Sequence, residues 1–350
     1  MKLMVDDAVW GFNKIFSEFG EVVTLPGRDI SRESLLDCDM LIVRSRTQVN
    51  QELLEGTKIS FVGSTVAGLD HIDESYLYKN NIAFSSAQGC NANAVAEYVI
   101  SALANLAHDY CFNLAEKSLG IIGVGNVGRR LDFKAKQLGM TTLLNDPPRE
   151  EKEGADGFVS IENALSADIV TFHTPLTNNG PYPTHNLLGS QNFNLITQDT
   201  ILINAARGGI IDEAIWETIN TKANIIDCWE NEPSINRTLQ KSAYWSTPHI
   251  AGHSIDAKFM GSFMIYKELC KFTQKPMKSE VETLINRESM VIEEKTLHAT
   301  LNSIYSFKDD DEVISDISKF EDYRRNYPER FEWHHFKTQF DLPRKNINQY

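Results

Sequence analysis

Residues 118–146, SLGIIGVGNVGRRLDFKAKQLGMTTLLND, decide the fold. An apolar run through Leu119, Ile121, Ile122 and Val124 enters Gly123-x-Gly125-x-x-Gly128. A helical segment follows to about Leu138, then Gly139, then a second apolar run ending on Asp146. The order is strand, glycine turn, helix, strand, acid. In a dinucleotide fold the first glycine allows a tight turn. The second lets the backbone approach a pyrophosphate, and the third lets the helix pack close to the strand. The open helix N-terminus, at Asn126-Val127, then faces the phosphates with free N–H groups. Asp146 stands 18 residues past Gly128, where a carboxylate accepts both ribose hydroxyls and repels a 2′-phosphate. The expected cofactor is therefore NAD.

Upstream, apolar runs at 2–5, 22–25, 40–43, 59–62 and 82–85 alternate with helix-like segments near 9–19, 31–36 and 50–54. Such alternation predicts a parallel sheet with helices on both faces. Two of these strands end in polar residues, Arg44-Ser45-Arg46-Thr47 and Ser64-Thr65-Val66. In open α/β sheets ligands sit beyond the strand C-termini. Arg44 and Arg46 suit a carboxylate or phosphate there. A long helix, AVAEYVISALANLAHDY, then leads toward the glycine motif.

Downstream the rhythm continues. Pro147-Pro148 breaks the chain before a charged loop at 149–154, and strands are expected at 168–172, 200–205 and 224–228. Helices are expected at 161–165, near 190–195 and at 212–219. These strands end in His173-Thr174, Arg207-Gly208-Gly209 and Trp229-Glu230-Asn231-Glu232, and 245–247 leads to Pro248-His249. A helix over 254–272 returns toward the first unit. Beyond residue 279 the character changes to an acidic run, 309–312, read as a solvated loop, and an aromatic, charged run, FEDYRRNYPERFEWHHF. The fold class expected is α/β, with two Rossmann-like doubly wound parallel-sheet domains and a small C-terminal α+β domain. The boundaries expected are 1–92 with 256–284, 93–255, and 285–350.

A net charge of −14 argues against nucleic-acid and anionic-membrane partners, so an anionic substrate needs a local basic site. The five cysteines are scattered, form no C-x-x-C pair and give no metal signature. Adjacent His334 and His335 lack a third ligand, so no metal is expected. No apolar run approaches a membrane span, and the expectation is a cytoplasmic protein.

Oxidation of a 2-hydroxy acid by NAD requires a clamp for the carboxylate, a base for the hydroxyl proton and an acid to orient that base. Arginine's planar fork, a histidine and a glutamate serve these needs. Arg207, His249 and Glu232 occur in suitable order after the glycine motif.

The chain resembles the D-isomer-specific 2-hydroxyacid dehydrogenase family. The resemblance rests on the glycine motif, Asn204-Ala205-Ala206-Arg207-Gly208, Asp227-x-Trp229-x-x-Glu232-Pro233 and Thr247-Pro248-His249. A branch-level resemblance adds VRSRTQVN (43–50), AGLDHID (67–73), GCNANAVAEYV (89–99) and YRRNYPERFEW (323–333). It implies NAD-dependent oxidation of 4-phospho-erythronate to 3-hydroxy-2-oxo-4-phosphobutanoate, a step of pyridoxal-phosphate synthesis. The alternatives are the same chemistry on another acid, of glycerate or 3-phosphoglycerate type, and a non-catalytic NAD-sensing dimer. By position, Arg207, Glu232 and His249 are catalytic, and Asp146, Thr174, Ala206, Arg207, Asp227 and Gly252 join the glycine motif around NAD. Arg44, Ser45, Thr65, Val66 and His253 are implied around the substrate. Val66 and His253 replace a threonine and a tyrosine usual in that branch. The tail implies a homodimer.

Overall fold

The computed structural model describes residues 1–340 and 342. The chain forms two compact units, 1–91 with 253–288 and 92–252 with 289–350.

The first unit is built on five parallel strands: β1 (Lys2–Asp6), β2 (Glu21–Leu25), β3 (Met40–Val43), β4 (Phe61–Ser64) and β5 (Ala83–Ser86). Their order is β2-β1-β3-β4-β5. All four residues of β3 are buried, without alternation, as a strand covered on both faces requires. The helix Ile255–Thr273 lies against β4, where Gly63 makes room: a Cβ there would meet Ile265 at 2.5 Å. The order reverses between β1 and β3, so Arg44 and Ser45 leave β3 beside the switch point. The helix expected near 9–19 is broken. Gly11 takes a left-handed φ of 66°, leaving a single turn at Phe12–Ile15 and a 3-10 turn at Ser17–Phe19.

The second unit carries β6 (Ser118–Ile122), β7 (Thr141–Asn145), β8 (Ile169–Phe172), β9 (Ile201–Asn204), β10 (Ala223–Ile226) and β11 (Trp245–Ser246). All are parallel, in the order β11-β10-β9-β8-β6-β7. Here the reversal falls between β6 and β8, which places the glycine turn and His173-Thr174 on either side of one crevice. The helix Ile161–Leu165 crosses β6 so closely that a Cβ on Gly120 would stand 2.0 Å from the Ala164 carbonyl oxygen. The helix Ala92–Asp109 is buried over most of its surface and forms the core with β6, β8 and β9.

Three local expectations change. The chain does not break into a loop after Asp146: a helix, Pro147–Glu153, starts there. Prolines at its first positions need no N–H, and Asp146 caps it by accepting from Arg149 N–H at 3.1 Å. The helix expected near 190–195 shrinks to a 3-10 turn, Phe193–Leu195. Asn192 there accepts from Gly189 N–H and Gln191 donates to the Asn186 carbonyl, side-chain bonds that compete with the helix. Finally, the acidic run 309–312 lies in a helix, Lys308–Ile314. Asp310 is buried and accepts the hydroxyls of Tyr305, Tyr323 and Tyr327 at 2.6, 2.6 and 2.8 Å.

The segment after residue 289 also contains β12 (Met290–Ile292) and β13 (Phe336–Thr338), a parallel pair. Leu301, Tyr305, Phe307, Tyr327, Trp333 and Leu342 enter the same apolar cluster as the sheet. A buried ion pair helps to fix it: Lys134 approaches Glu97 at 3.4 Å and lies 4.6 Å from the Trp333 ring centre. Glu97 also accepts from Trp333 N–H at 3.0 Å. Among the described residues no helix is long and apolar enough to cross a membrane.

Candidate active site

The glycine turn is shaped for a diphosphate. Gly123 has a φ of 88°, and a Cβ there would meet backbone atoms of His173 and Thr174 at 2.7–2.8 Å. A Cβ on Gly128 would stand 2.2 Å from the Gly123 carbonyl oxygen, so this glycine lets the helix Asn126–Gln137 pack against the turn. Gly125 differs: nothing lies within 4 Å of its Cβ position, and it caps the helix without a side-chain bond. The first N–H groups of that helix, from Asn126 and Val127, therefore face open space. Thr174 Oγ1 is buried beside the turn with no hydrogen-bond partner among the described residues. An unpartnered buried hydroxyl against a phosphate-shaped turn fits a bound dinucleotide.

Asp146 leaves β7 next to this turn. Its carboxylate accepts from Val124 N–H at 2.8 Å as well as from Arg149 N–H. The Arg149 side chain is committed elsewhere, donating to the Val124 carbonyl at 2.6 Å and, from Nε, to Glu153 at 2.9 Å. It is thus held away from a role as a 2′-phosphate ligand. His173 donates no charge to the crevice. Burial pushes its imidazole down to about 3, so it stays neutral, with Nε2 3.0 Å from Thr171 Oγ1.

The loops after β9, β10 and β11 meet around Glu232 and His249. Asn204 shapes the first: its side chain donates to the Arg207 carbonyl at 2.8 Å and accepts from Ala206 N–H at 3.1 Å. Arg207 is half-buried at that strand end, and Ala206 is buried beside it. Asp227, fully buried, organises the third loop. It accepts from Thr247 Oγ1 and Ile250 N–H, both at 2.7 Å, and from Ala251 N–H at 3.1 Å. The loop runs on through half-buried Gly252. Trp229 Nε1–H adds a bond to the Thr247 carbonyl at 2.9 Å. Within this frame His249 takes a left-handed φ of 55°, unusual for a residue with a Cβ, and its ring turns to Glu232. His249 Nδ1 lies 2.9 Å from Glu232 Oε2 and 3.1 Å from Oε1.

Glu232 is held from several sides. Burial alone would raise its carboxyl. The His249 charge and hydrogen bond, the Arg324 guanidinium and Trp229 N–H outweigh that, and the net result lies below the usual carboxylate range. Trp229 N–H donates to Oε1 at 2.9 Å, and Arg324 Nη1 approaches Oε2 at 3.7 Å. An acid paired with Nδ1 fixes the ring through that nitrogen and leaves Nε2 outside the pair. Cys228 Sγ, Glu232 and His249 offer metal-ligating atoms within 4.8 Å of one another. Burial first, and then Asp227, keep the Cys228 thiol protonated, and the neighbouring guanidinium opposes a further cation.

The expected substrate residues lie in the first unit. Arg44 is half-buried, with Nη1 3.4 Å from the Ala8 carbonyl oxygen, and Ser45 is exposed beside it. Thr65 is buried and its hydroxyl donates to the Val43 carbonyl at 3.2 Å, so only its oxygen lone pairs remain to act. Val66 and His253 are half-buried. Sequence reading missed Arg324 and the backbone N–H of Trp229 as partners of Glu232: the one is 92 positions away and the other acts through its main chain, which no residue type reveals.

A glycine turn at a switch point, with a Glu–His pair on the loops after later strands of the same sheet, is the build of an NAD-dependent dehydrogenase. The model for the NAD binding domain of D-isomer specific 2-hydroxyacid dehydrogenases matches residues 95–251. The chain belongs to the D-isomer specific 2-hydroxyacid dehydrogenase family, and this domain binds NAD. It is 57% identical over 343 residues to the erythronate-4-phosphate dehydrogenase of Ruthia magnifica subsp. Calyptogena magnifica, covering 98% of this chain and 99% of that one. It is 50% identical to the enzyme of the same name from Hydrogenovibrio crunogenus, over 95% and 92% of the two chains. Among solved structures, NAD+-bound 3-phosphoglycerate dehydrogenase from Entamoeba histolytica shares the fold. Its TM-score is 0.63 at 24% identity, over 82% of this chain and 99% of that one.

Proposed function

We propose that this chain oxidises the C2 hydroxyl of 4-phospho-erythronate with NAD, giving 3-hydroxy-2-oxo-4-phosphobutanoate. The observation that carries the chemistry is the Glu232–His249 pair, Nδ1 to carboxylate at 2.9 Å, on the sheet that carries the glycine turn. The choice of acid is supported by the near full-length similarity to enzymes named for that substrate.

Bound NAD would supply the hydride acceptor for C2, and the chain's own residues bind, orient and move the proton. Arg207 clamps the substrate carboxylate with its planar fork. His249 takes the hydroxyl proton on Nε2, while Glu232 holds Nδ1–H and balances the charge that forms. Proton transfer of this kind contributes roughly 10²–10⁴-fold in rate. The glycine turn, Thr174 and Asp146 hold the dinucleotide, with Ala206, Asp227 and Gly252 on the neighbouring loops. Arg44 and Ser45, at the end of β3, bind the phosphate, with Thr65, Val66 and His253 contributing to the substrate side. The active form is a homodimer in the cytoplasm.

Purified protein with NAD and a panel of 2-hydroxy acids tests this reading through NADH formation. A signal with 4-phospho-erythronate well above those with glycerate and 3-phosphoglycerate is expected. No signal with 4-phospho-erythronate, beside one with an unphosphorylated acid, overturns the substrate. His249→Asn is expected to abolish turnover and leave NADH binding nearly intact; unchanged turnover overturns the role of His249.

A further inference from the structure

The segment after residue 289 sends one cation into the acid–base pair. Arg324 lies in the last turn of the helix Phe320–Arg325. Its guanidinium carbon stands 5.7 Å from the centre of the Phe320 ring, one turn earlier, and Phe320 is fully buried in the apolar cluster with Ile314. Tyr323 and Tyr327, on either side, are tied to buried Asp310. Arg237 holds the preceding turn by donating to the Ile314 and Ser315 carbonyls at 2.9 and 2.7 Å. The helix is therefore pinned, and the arginine is aimed rather than trailing in solvent. Arg324 Nε is buried with no hydrogen-bond partner among the described residues, and Nη1 lies 3.7 Å from Glu232 Oε2. Among the described residues Glu232 is the one carboxylate within ion-pair reach of this guanidinium.

We propose that Arg324 is a positioning residue for the reaction: its guanidinium shares the Glu232 carboxylate with His249 and so sets how tightly the pair holds its proton. The proposal rests on Glu232 and His249 being the acid–base pair. A carboxylate facing only an imidazole gives that ring its whole field and favours the protonated form. A fixed guanidinium on the same oxygen draws off part of that field and repels a second positive charge. Oxidation begins with a proton-free ring, so the arginine extends oxidation to lower pH.

The other charged or titratable groups near Glu232 are built differently. Asp227 is occupied by Thr247 Oγ1, the Ile250 and Ala251 N–H groups and the Cys228 thiol. Cys228 is kept as a thiol by burial. Glu213, raised by burial, accepts the Glu230 N–H at 2.7 Å. Arg207 and Glu230 stand on the adjoining loops. All of these are left unchanged when Arg324 alone is replaced.

The test is the pH profile of kcat/KM for oxidation in wild type, Arg324→Met, Arg324→Lys and Arg325→Met. Arg325 is exposed one position on and serves as the control. Arg324→Met is expected to move the acid limb to higher pH by about one unit, the size of effect of one nearby opposite charge on a carboxylate. The loss is then about tenfold on the acid side and small on the plateau. Arg324→Lys restores at least half of the shift, Arg325→Met moves nothing, and NADH affinity is unchanged throughout. A limb that stays in place in Arg324→Met, or an equal loss at every pH, overturns the proposal. If Arg324→Met does not fold, Arg324→Gln set against Arg324→Lys makes the same comparison, and coincident limbs overturn it. Turnover surviving in His249→Asn would overturn the acid–base reading itself. A dead His249→Asn with an unmoved limb in Arg324→Met overturns only the role of Arg324.

Discussion

Replacing Gly208 by alanine tests whether the Arg207 loop and the Glu232 loop are locked by backbone contact. A Cβ at this position would stand 2.0 Å from the Trp229 carbonyl oxygen, 2.1 Å from its carbon and 2.4 Å from the Glu230 nitrogen. All three are backbone atoms, so no side chain can turn aside. Ordinary contact begins at 3.4 Å, and the two segments must part by about 1.4 Å, the shortfall against the nearest atom. Overpacking of this kind costs about 1–3 kcal/mol of stability, measurable by urea unfolding. The larger effect falls on the chemistry. The displaced segment carries Glu232, which holds the His249 ring, and the Trp229 N–H that holds Glu232. A misplacement of about 1 Å costs on the order of 10²-fold in rate. Initial rates of NADH formation at saturating NAD should therefore show kcat falling about a hundredfold, while the NADH dissociation constant changes less than about threefold. A variant with wild-type kcat and wild-type stability would refute the idea that this contact holds the site together.

Gly125→Ala should behave in the opposite way. Its Cβ meets nothing within 4 Å, so stability is expected to stay within about 1 kcal/mol of wild type while NADH affinity falls at least about tenfold; titration calorimetry and urea unfolding read both, and unchanged affinity would show that no phosphate approaches there. Asp310→Ala removes the acceptor of three tyrosine hydroxyls, and at about 1 kcal/mol or more for each unsatisfied group the loss should reach roughly 3 kcal/mol. A loss under about 1 kcal/mol would mean that the cage does not anchor the C-terminal segment. Glu232 has a lowered carboxyl, so its contribution to stability is present above the ordinary value of 4.5 and disappears as pH falls through the folded value. Urea midpoints followed from pH 7 downward should show that loss in wild type and its absence in Glu232→Gln, and parallel curves would contradict the pairing.

Much of this fold was legible because its strongest signals are local. The run from Ser118 to Asp146 carries strand, turn, helix and acid within one contiguous stretch, and β3 is an uninterrupted apolar run that only a doubly covered strand accommodates. The sequence order of Arg207, Glu232 and His249 was also legible, since each follows a strand and all such ends lie on one side of a parallel sheet. What the sequence concealed are contacts between residues far apart in the chain. The run 309–312 reads as a solvated loop because four acids in a row are normally exposed, yet it lies in a helix, and Tyr305, Tyr323 and Tyr327 converge on one of its acids, Asp310, and bury it. The same convergence fixes the helix that presents Arg324 to Glu232, 92 positions earlier in the chain. A segment that looks like an appendage by composition is thus part of the electrostatics of the site. The three tyrosine hydroxyls on Asp310 thus anchor the segment from which the Arg324 guanidinium comes within 3.7 Å of the Glu232 carboxylate.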